Sequence, residues 1–317
     1  MNLCESLPGM WNRDLKLKVL LISVTGCAAF ALLIRHRIRL DFSSAGTALG
    51  TVGLLLPFAF SFEGRNLQQF SNLLTGFLCM VVFNLFLAIL TYAGTPLNAP
   101  LTDSLLIQYD AALGIHLPSI VDWFQQHPTL NRTFHLIYSS VLPSTLLALI
   151  VLGLDSDVRR LREFVTHYML AGLITTLIYF LMPAEAPAQA FGYGQTAAQL
   201  SFIEHFHALR AGQFPLVSMN NLEGLVTFPS FHTTWALLIA YSLRHYRRLF
   251  VPMLLLNVGV AISTVTTGWH YGIDVIGGLL VAALAVLITR ISSRWLHADV
   301  AQPQIPSLRG TVPAVTE

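Results

Sequence analysis

Eight apolar stretches, most of them long enough to cross a bilayer, constrain this chain more tightly than any other feature. They fall at 17–34, 44–62, 70–95, 133–153, 164–183, 229–243, 249–268 and 272–291. A hydrocarbon core of roughly 30 Å takes about 20 helical residues, and helices satisfy their own backbone polar groups there. The expected fold class is therefore all-α, a polytopic transmembrane helix bundle of about eight spans. Composition agrees: of 317 residues 54% are hydrophobic and only 11% charged, against about 25% charged in a soluble domain. That excludes a water-soluble globule and a disordered chain. A net charge of +2 is too small to point to nucleic acid or another polyanion. Cys4, Cys27 and Cys79 form no CxxC pair, so neither a disulfide framework nor a zinc site is implied.

Arg13, Lys16 and Lys18 precede the first run as in a signal peptide, but no small-x-small cleavage site precedes a polar mature start, which predicts an uncleaved anchor. Placing both ends inside puts 13 of the 18 Lys and Arg residues inside and leaves Arg35, Arg37, Arg39, Arg132 and Arg210 outside, as positive-inside orientation requires. The cluster Arg35, Arg37, Arg39 runs against that bias. Arg159, Arg160 and Arg162, with Arg244, Arg247 and Arg248, read as inner anchors. Two long loops, 96–132 and 184–228, then lie outside. Apolar patterning at 101–113 and 120–126 predicts short interfacial helices. Pro183, Pro187, Gly192, Gly194, Gly212 and Pro215 predict an irregular path through the second loop. The chain divides into N-terminal transmembrane helices (1–95), a catalytic membrane domain (96–296) and a disordered tail (297–317).

Ionisable groups at membrane depth point to function. Asp274 is the one acidic residue between Glu223 and Asp299, and His270 stands four positions before it. On a helix the two share a face, so the carboxylate could orient one ring nitrogen and leave the other nucleophilic. Alternatively the pair merely satisfies itself. Pro229 and Ser230 mark a helix start, which puts His232 in a first turn where free N–H groups favour an anion. Two histidines, a carboxylate and a helix N-terminus at one interface make a phosphate site.

The run Pro229-Ser230-Phe231-His232, followed by Ser263-Thr264 and His270-x3-Asp274, resembles the second and third signatures of the type 2 phosphatidic acid phosphatase superfamily. Those signatures read Pro-Ser-Gly-His and Ser-Arg-x5-His-x3-Asp. The pattern is closer to the inositol phosphorylceramide synthase branch and its bacterial relatives, and His270-Tyr271-x2-Asp274-Val275 is also similar to sphingomyelin synthases. Phe231 departs from the family glycine and Thr264 from its phosphate-binding arginine. The Lys-x6-Arg-Pro first signature is missing.

The resemblance implies a six-helix phosphatase-type core and a lipid phosphatase or phosphotransferase working at the outer face without metal or cofactor. His270 would be the nucleophile, Asp274 its orienting acid and His232 the general acid and base. Ser230, Phe231 and the backbone after them would cradle the phosphate. Arg210, in the loop before the sixth span, is the expected replacement for the missing cations. Arg132 reads as an anchor, and Asp110, His135 and Tyr138 as either cavity-lining or structural. His205 and His207 beside Glu204 lack the usual helical zinc spacing. Trp269 and Tyr271 read as interfacial aromatics, and Gly272, Gly277 and Gly278 as close-packing positions. The partners implied are membrane lipids. A hydrolytic phosphatase is the alternative to a transferase, and a non-catalytic transporter or scaffold the alternative to an enzyme.

Overall fold

The computed structural model describes residues 13–41, 43, 46–193, 196–213, 216–219 and 222–298. In chain order the elements are α1 (Arg13–His36), β1 (Arg39–Asp41), α2 (Gly46–Gly64), α3 (Gln68–Gly94), α4 (Asp103–Ala112), α5 (Leu117–Gln125), α6 (Pro128–Ser139) and α7 (Val141–Gly153). They continue with α8 (Val158–Leu181), α9 (Pro187–Phe191), α10 (Ala197–Arg210), β2 (Leu216–Ser218), α11 (Phe231–Ser242), α12 (Arg247–Thr266) and α13 (Gly272–Ala298). All eight apolar runs are helical, and the chain is an all-α polytopic bundle. Six segments are long and apolar enough to cross a membrane: α1, α3, α6 with α7, α8, α12 and α13. The apolar part of α2, Gly50–Gly64, and the 12-residue α11 are shorter. The expected tail lies, beyond Ala298, outside the described residues.

The central core is built from α3, α7, α8, α11, α12 and α13, around Phe83, Leu152, Tyr168, Ile239, Val260 and Ala285. A second cluster closes one end of the bundle and joins Tyr92, Tyr179, Phe202 and Leu225 to Trp269. The other end is held by charge. There Arg162 lies 3.7 Å from Asp14, Arg160 2.9 Å from Asp155 and Arg244 3.4 Å from Glu163. The inner-anchor arginines and the paired histidines thus sit at opposite ends.

The segment at 35–39 belongs to the histidine end. β1 pairs in parallel with β2, Arg39 opposite Leu216, while Ile38 and Leu40 pack on the cluster that contains Trp269. Its arginines therefore share the end of the bundle that carries the histidines.

Helices α4 and α5 occupy the two patterned stretches of the first loop. The second loop is not irregular throughout, because it contains α9 and α10. Thr196 accepts from Gln199 N–H while the Gln199 side chain accepts from Thr196 N–H, a reciprocal capping box that starts α10. Weighting Pro and Gly hides that Thr-x-x-Gln signal. Helix α6 begins at Pro128, five residues before the expected span, because proline at a first helical position offsets the polar Asn131 and Arg132.

Candidate active site

Helix α12 ends in a left-handed turn at Gly268 (φ 78°). The carbonyl of Thr264 accepts from both Trp269 N–H (3.2 Å) and His270 N–H (3.0 Å), which folds the chain back and presents His270 just before α13. A side chain at 268 would be strained in that conformation. His270 and Asp274 therefore meet across a helix start rather than along one helical face, which corrects the reading of their four-residue spacing.

The His270 Nδ1–H donates to the Thr227 carbonyl at 2.7 Å and lies 3.2 Å from Asp274 Oδ2. A carbonyl can only accept, so Nδ1 carries the proton and Nε2 keeps its lone pair. Burial pushes the imidazole down to about 4. Asp274 Oδ2 also accepts from Tyr271 N–H at 2.9 Å, and Asp274 is fully buried behind the histidine.

The second histidine opens α11. Ser230 caps that helix, accepting from Thr233 N–H at 3.3 Å and Thr233 Oγ1–H at 3.1 Å. Its own N–H donates to the Asp274 carbonyl at 3.0 Å, which ties the start of α11 to α13. His232 lies in the first turn, stacked on Tyr138 with ring centroids 4.2 Å apart and the phenol 3.2 Å from Nδ1. The two imidazole centroids are 6.4 Å apart.

Both histidines line a cavity of about 550 Å³. Phe231, Tyr138, Trp235 and Trp269 share its wall, and Asn84 and Thr91 of α3 close the far side. The segment before residue 95 therefore contributes to the site. Among the described residues lining this cavity Glu223 is the only one with a full charge, and neither lysine nor arginine is present.

The remaining expected residues lie elsewhere. Ser230 is fully buried behind the cavity with its hydroxyl engaged in capping. Arg210 donates to the Ala99 carbonyl at 3.0 Å and lies over the Phe206 ring, within the electrostatic reach of Asp103 and Glu185. It is not on the cavity wall. Arg132 is exposed on α6. Thr264 is buried, its hydroxyl donating to Ala261 O at 2.7 Å. Asp110 is structural: its two oxygens accept from Gly272 N–H (2.9 Å) and Ile273 N–H (2.7 Å) at the head of α13. His135 lines a separate, smaller cavity.

Tyr271 is not an interfacial anchor. It is fully buried, with its hydroxyl donating to Asp103 at 2.8 Å. His205 turns to Tyr92 (2.7 Å) and His207 to Glu185 (3.4 Å). Among the described residues no three His, Cys, Asp or Glu side chains gather as a metal site.

Sequence reasoning missed Asn84, Trp235 and Glu223. Asn84 carried a usable signal, an amide inside an apolar run. The Thr227 contact carried none, because it is made by backbone.

Neither a curated protein nor a solved structure matches the chain. A family model for the PAP2 superfamily matches residues 104–288. That span runs from α4 into α13, includes both histidines with Asp274, and covers more than half the sequence. On this match the chain belongs to the PAP2 superfamily.

Proposed function

We propose that this protein is a membrane lipid phosphatase or phosphotransferase that passes a phosphoryl group through a phosphohistidine at His270. The supporting observation is the hydrogen bond from His270 Nδ1–H to the Thr227 carbonyl, which leaves Nε2 nucleophilic in a cavity shared with a second histidine. The Nε2 lone pair attacks phosphorus and the ester P–O bond breaks, with His232, which takes up a proton as the phosphate anion enters beside it, giving that proton to the departing oxygen. The resulting phosphoimidazolium is stabilised by Asp274 and the Thr227 carbonyl. His232, now neutral, takes the proton of an acceptor hydroxyl, which attacks phosphorus, and the N–P bond breaks. Imidazole centroids 6.4 Å apart allow one phosphoryl group to reach both rings.

The phosphoryl oxygens take N–H groups at the first turn of α11, beginning with Phe231 and His232, where the helix dipole favours an anion. Ser230 serves that turn as its cap, and Arg210 as a brace on the loop at Ala99. The catalytic unit spans 96–296 and borrows a wall from α3. With a lipid hydroxyl as acceptor the enzyme moves a headgroup between lipids, in keeping with the likeness to inositol phosphorylceramide synthases. With water it is a hydrolase.

Purified protein in lipid micelles with EDTA, given phosphatidate, an isoprenyl pyrophosphate, or phosphatidylinositol with ceramide, separates these readings. Free phosphate identifies a phosphatase, and a new headgroup lipid a transferase. His270→Ala abolishes turnover, and His232→Ala lowers kcat by about 10²- to 10⁴-fold. Unchanged turnover in His270→Ala overturns the mechanism. Absence of product from every donor favours a scaffold.

A further inference from the structure

At the end of the bundle away from the histidines, a small cavity lies between α1, α3 and α8, with Asp14, Lys18, Asn72, Thr75 and Arg162 on its wall. Lys18 is only 3% exposed. Its ammonium group pairs with Asp14 Oδ2, the same oxygen that lies 3.7 Å from Arg162 Nε. One carboxylate thus answers two cations, and among the described residues no other charged side chain lines this cavity. The cluster keeps one positive charge in excess. A buried cation short of counter-charge is costly at the edge of a membrane. The cavity measures about 40 Å³, room for roughly three water-sized groups, which is the footprint of phosphate oxygens.

A larger, apolar space adjoins it. Leu15, Thr75 and Cys79 line both, and beyond them a slot of about 390 Å³ runs between α1, α2 and α3. Leu15, Val19 and Ile22 all line this slot, and their i, i+4, i+7 spacing puts them on one face of α1. The change from polar to apolar runs the same way on two helices. On α1 Asp14 and Lys18 give way to Ile22, and on α3 Asn72 and Thr75 give way to Val82. From Asn72 to Val82 a helix rises about 15 Å, half of a hydrocarbon core of roughly 30 Å.

We propose that this paired cavity binds one anionic phospholipid from the leaflet at the charged end, with its phosphate on Lys18 and Arg162 and an acyl chain in the slot between α1, α2 and α3. A free phosphate would answer the cations and leave the slot empty. A lipid without net charge would fill the slot and leave the cations short of counter-charge. Only an anionic lipid meets both demands, and it ties α2 to α1 and α3. The proposal is independent of the phosphohistidine reading. Apart from Arg162, the residues that carry it precede residue 104, where the family match begins.

The test is native mass spectrometry of the full chain in an uncharged detergent, with thermal unfolding measured in parallel. The probes are phosphatidylglycerol, phosphatidylcholine and inorganic phosphate at equal concentration. Phosphatidylglycerol is expected to bind about tenfold more tightly than phosphatidylcholine and to raise Tm as a ligand of the folded state does. Lys18→Met and Arg162→Gln should each bring that preference toward one. Lys16→Met, at an exposed position two residues away, should leave it unchanged. Leu56→Trp and Val82→Phe, which narrow the slot from α2 and from α3, should each weaken both lipids. Equal retention of the two lipids, an equal loss of preference in Lys16→Met, or the same rise in Tm with inorganic phosphate overturns the proposal. So does full retention of phosphatidylglycerol in both slot variants.

Discussion

At the scale of single residues, the proposed mechanism rests on which nitrogen of His270 carries the proton. The Thr227 carbonyl at 2.7 Å decides this, and in the proposed mechanism Asp274 at 3.2 Å supplies a counter-charge for the phosphorylated ring. Burial holds the imidazole at about 4 instead of its ordinary value near 6.5. A lowered pKa means the ring takes a proton only in more acid solution, so Nε2 stays available through neutral and mildly acid pH. The acid limb of kcat/KM, which reports the free enzyme, is therefore expected to fall as pH drops through about 4. A limb centred near about 6.5 would show that His270 is not held neutral by its surroundings. The motif residues were legible in the sequence because side-chain chemistry is written there. The acceptor to which His270 donates was not, because a carbonyl has no residue signature.

At the scale of elements, the site depends on the crossing of α11 and α13. A Cβ on Gly278 would lie 2.5 Å from the Ser230 carbonyl, and one on Gly277 2.9 Å from Pro229. The same crossing is tied by Thr234 Oγ1–H donating to the Gly278 carbonyl at 2.9 Å. Gly278→Ala must push the start of α11 away from α13 and carry His232 with it. Kcat is expected to fall on the order of 10²-fold, as catalysis does for displacements of about 1 Å. Gly50→Ala is the control, since nothing lies within 4 Å of a Cβ there. Equal activity in both variants would mean that the crossing does not set the spacing of the histidines. The glycines at 272, 277 and 278 could be read as packing positions from their size alone. What they pack against, Ile115, Phe228 with Pro229, and the Ser230 backbone, comes from distant segments.

At the scale of the whole molecule, the bundle has one end with charged pairs and one with the histidines, and the proposed orientation puts the histidines outside. Arg37 and Ser156 are exposed at the two ends. In a chain whose three cysteines are replaced by Ala, Arg37→Cys is expected to react with a membrane-impermeant maleimide on intact cells. Ser156→Cys should react only after permeabilisation. The reverse pattern would place the site inside. The exposed arginines at 35, 37 and 39 stay on the histidine side because β1 is paired to β2.

The sequence alone determined the all-α membrane class, the positions of the apolar helices and the family resemblance of the paired histidines. Apolar run length and short motifs are local properties, and the bilayer turns the first of these directly into helix. Tertiary structure decided where the cations are not. Arg210 carries the right charge in a plausible place, yet its guanidinium is spent on the Ala99 carbonyl and the Phe206 face. Packing also brought α3 and Glu223 to the cavity that both histidines line. A cavity wall is assembled from residues far apart in the chain, and its charge exists only once the helices have packed.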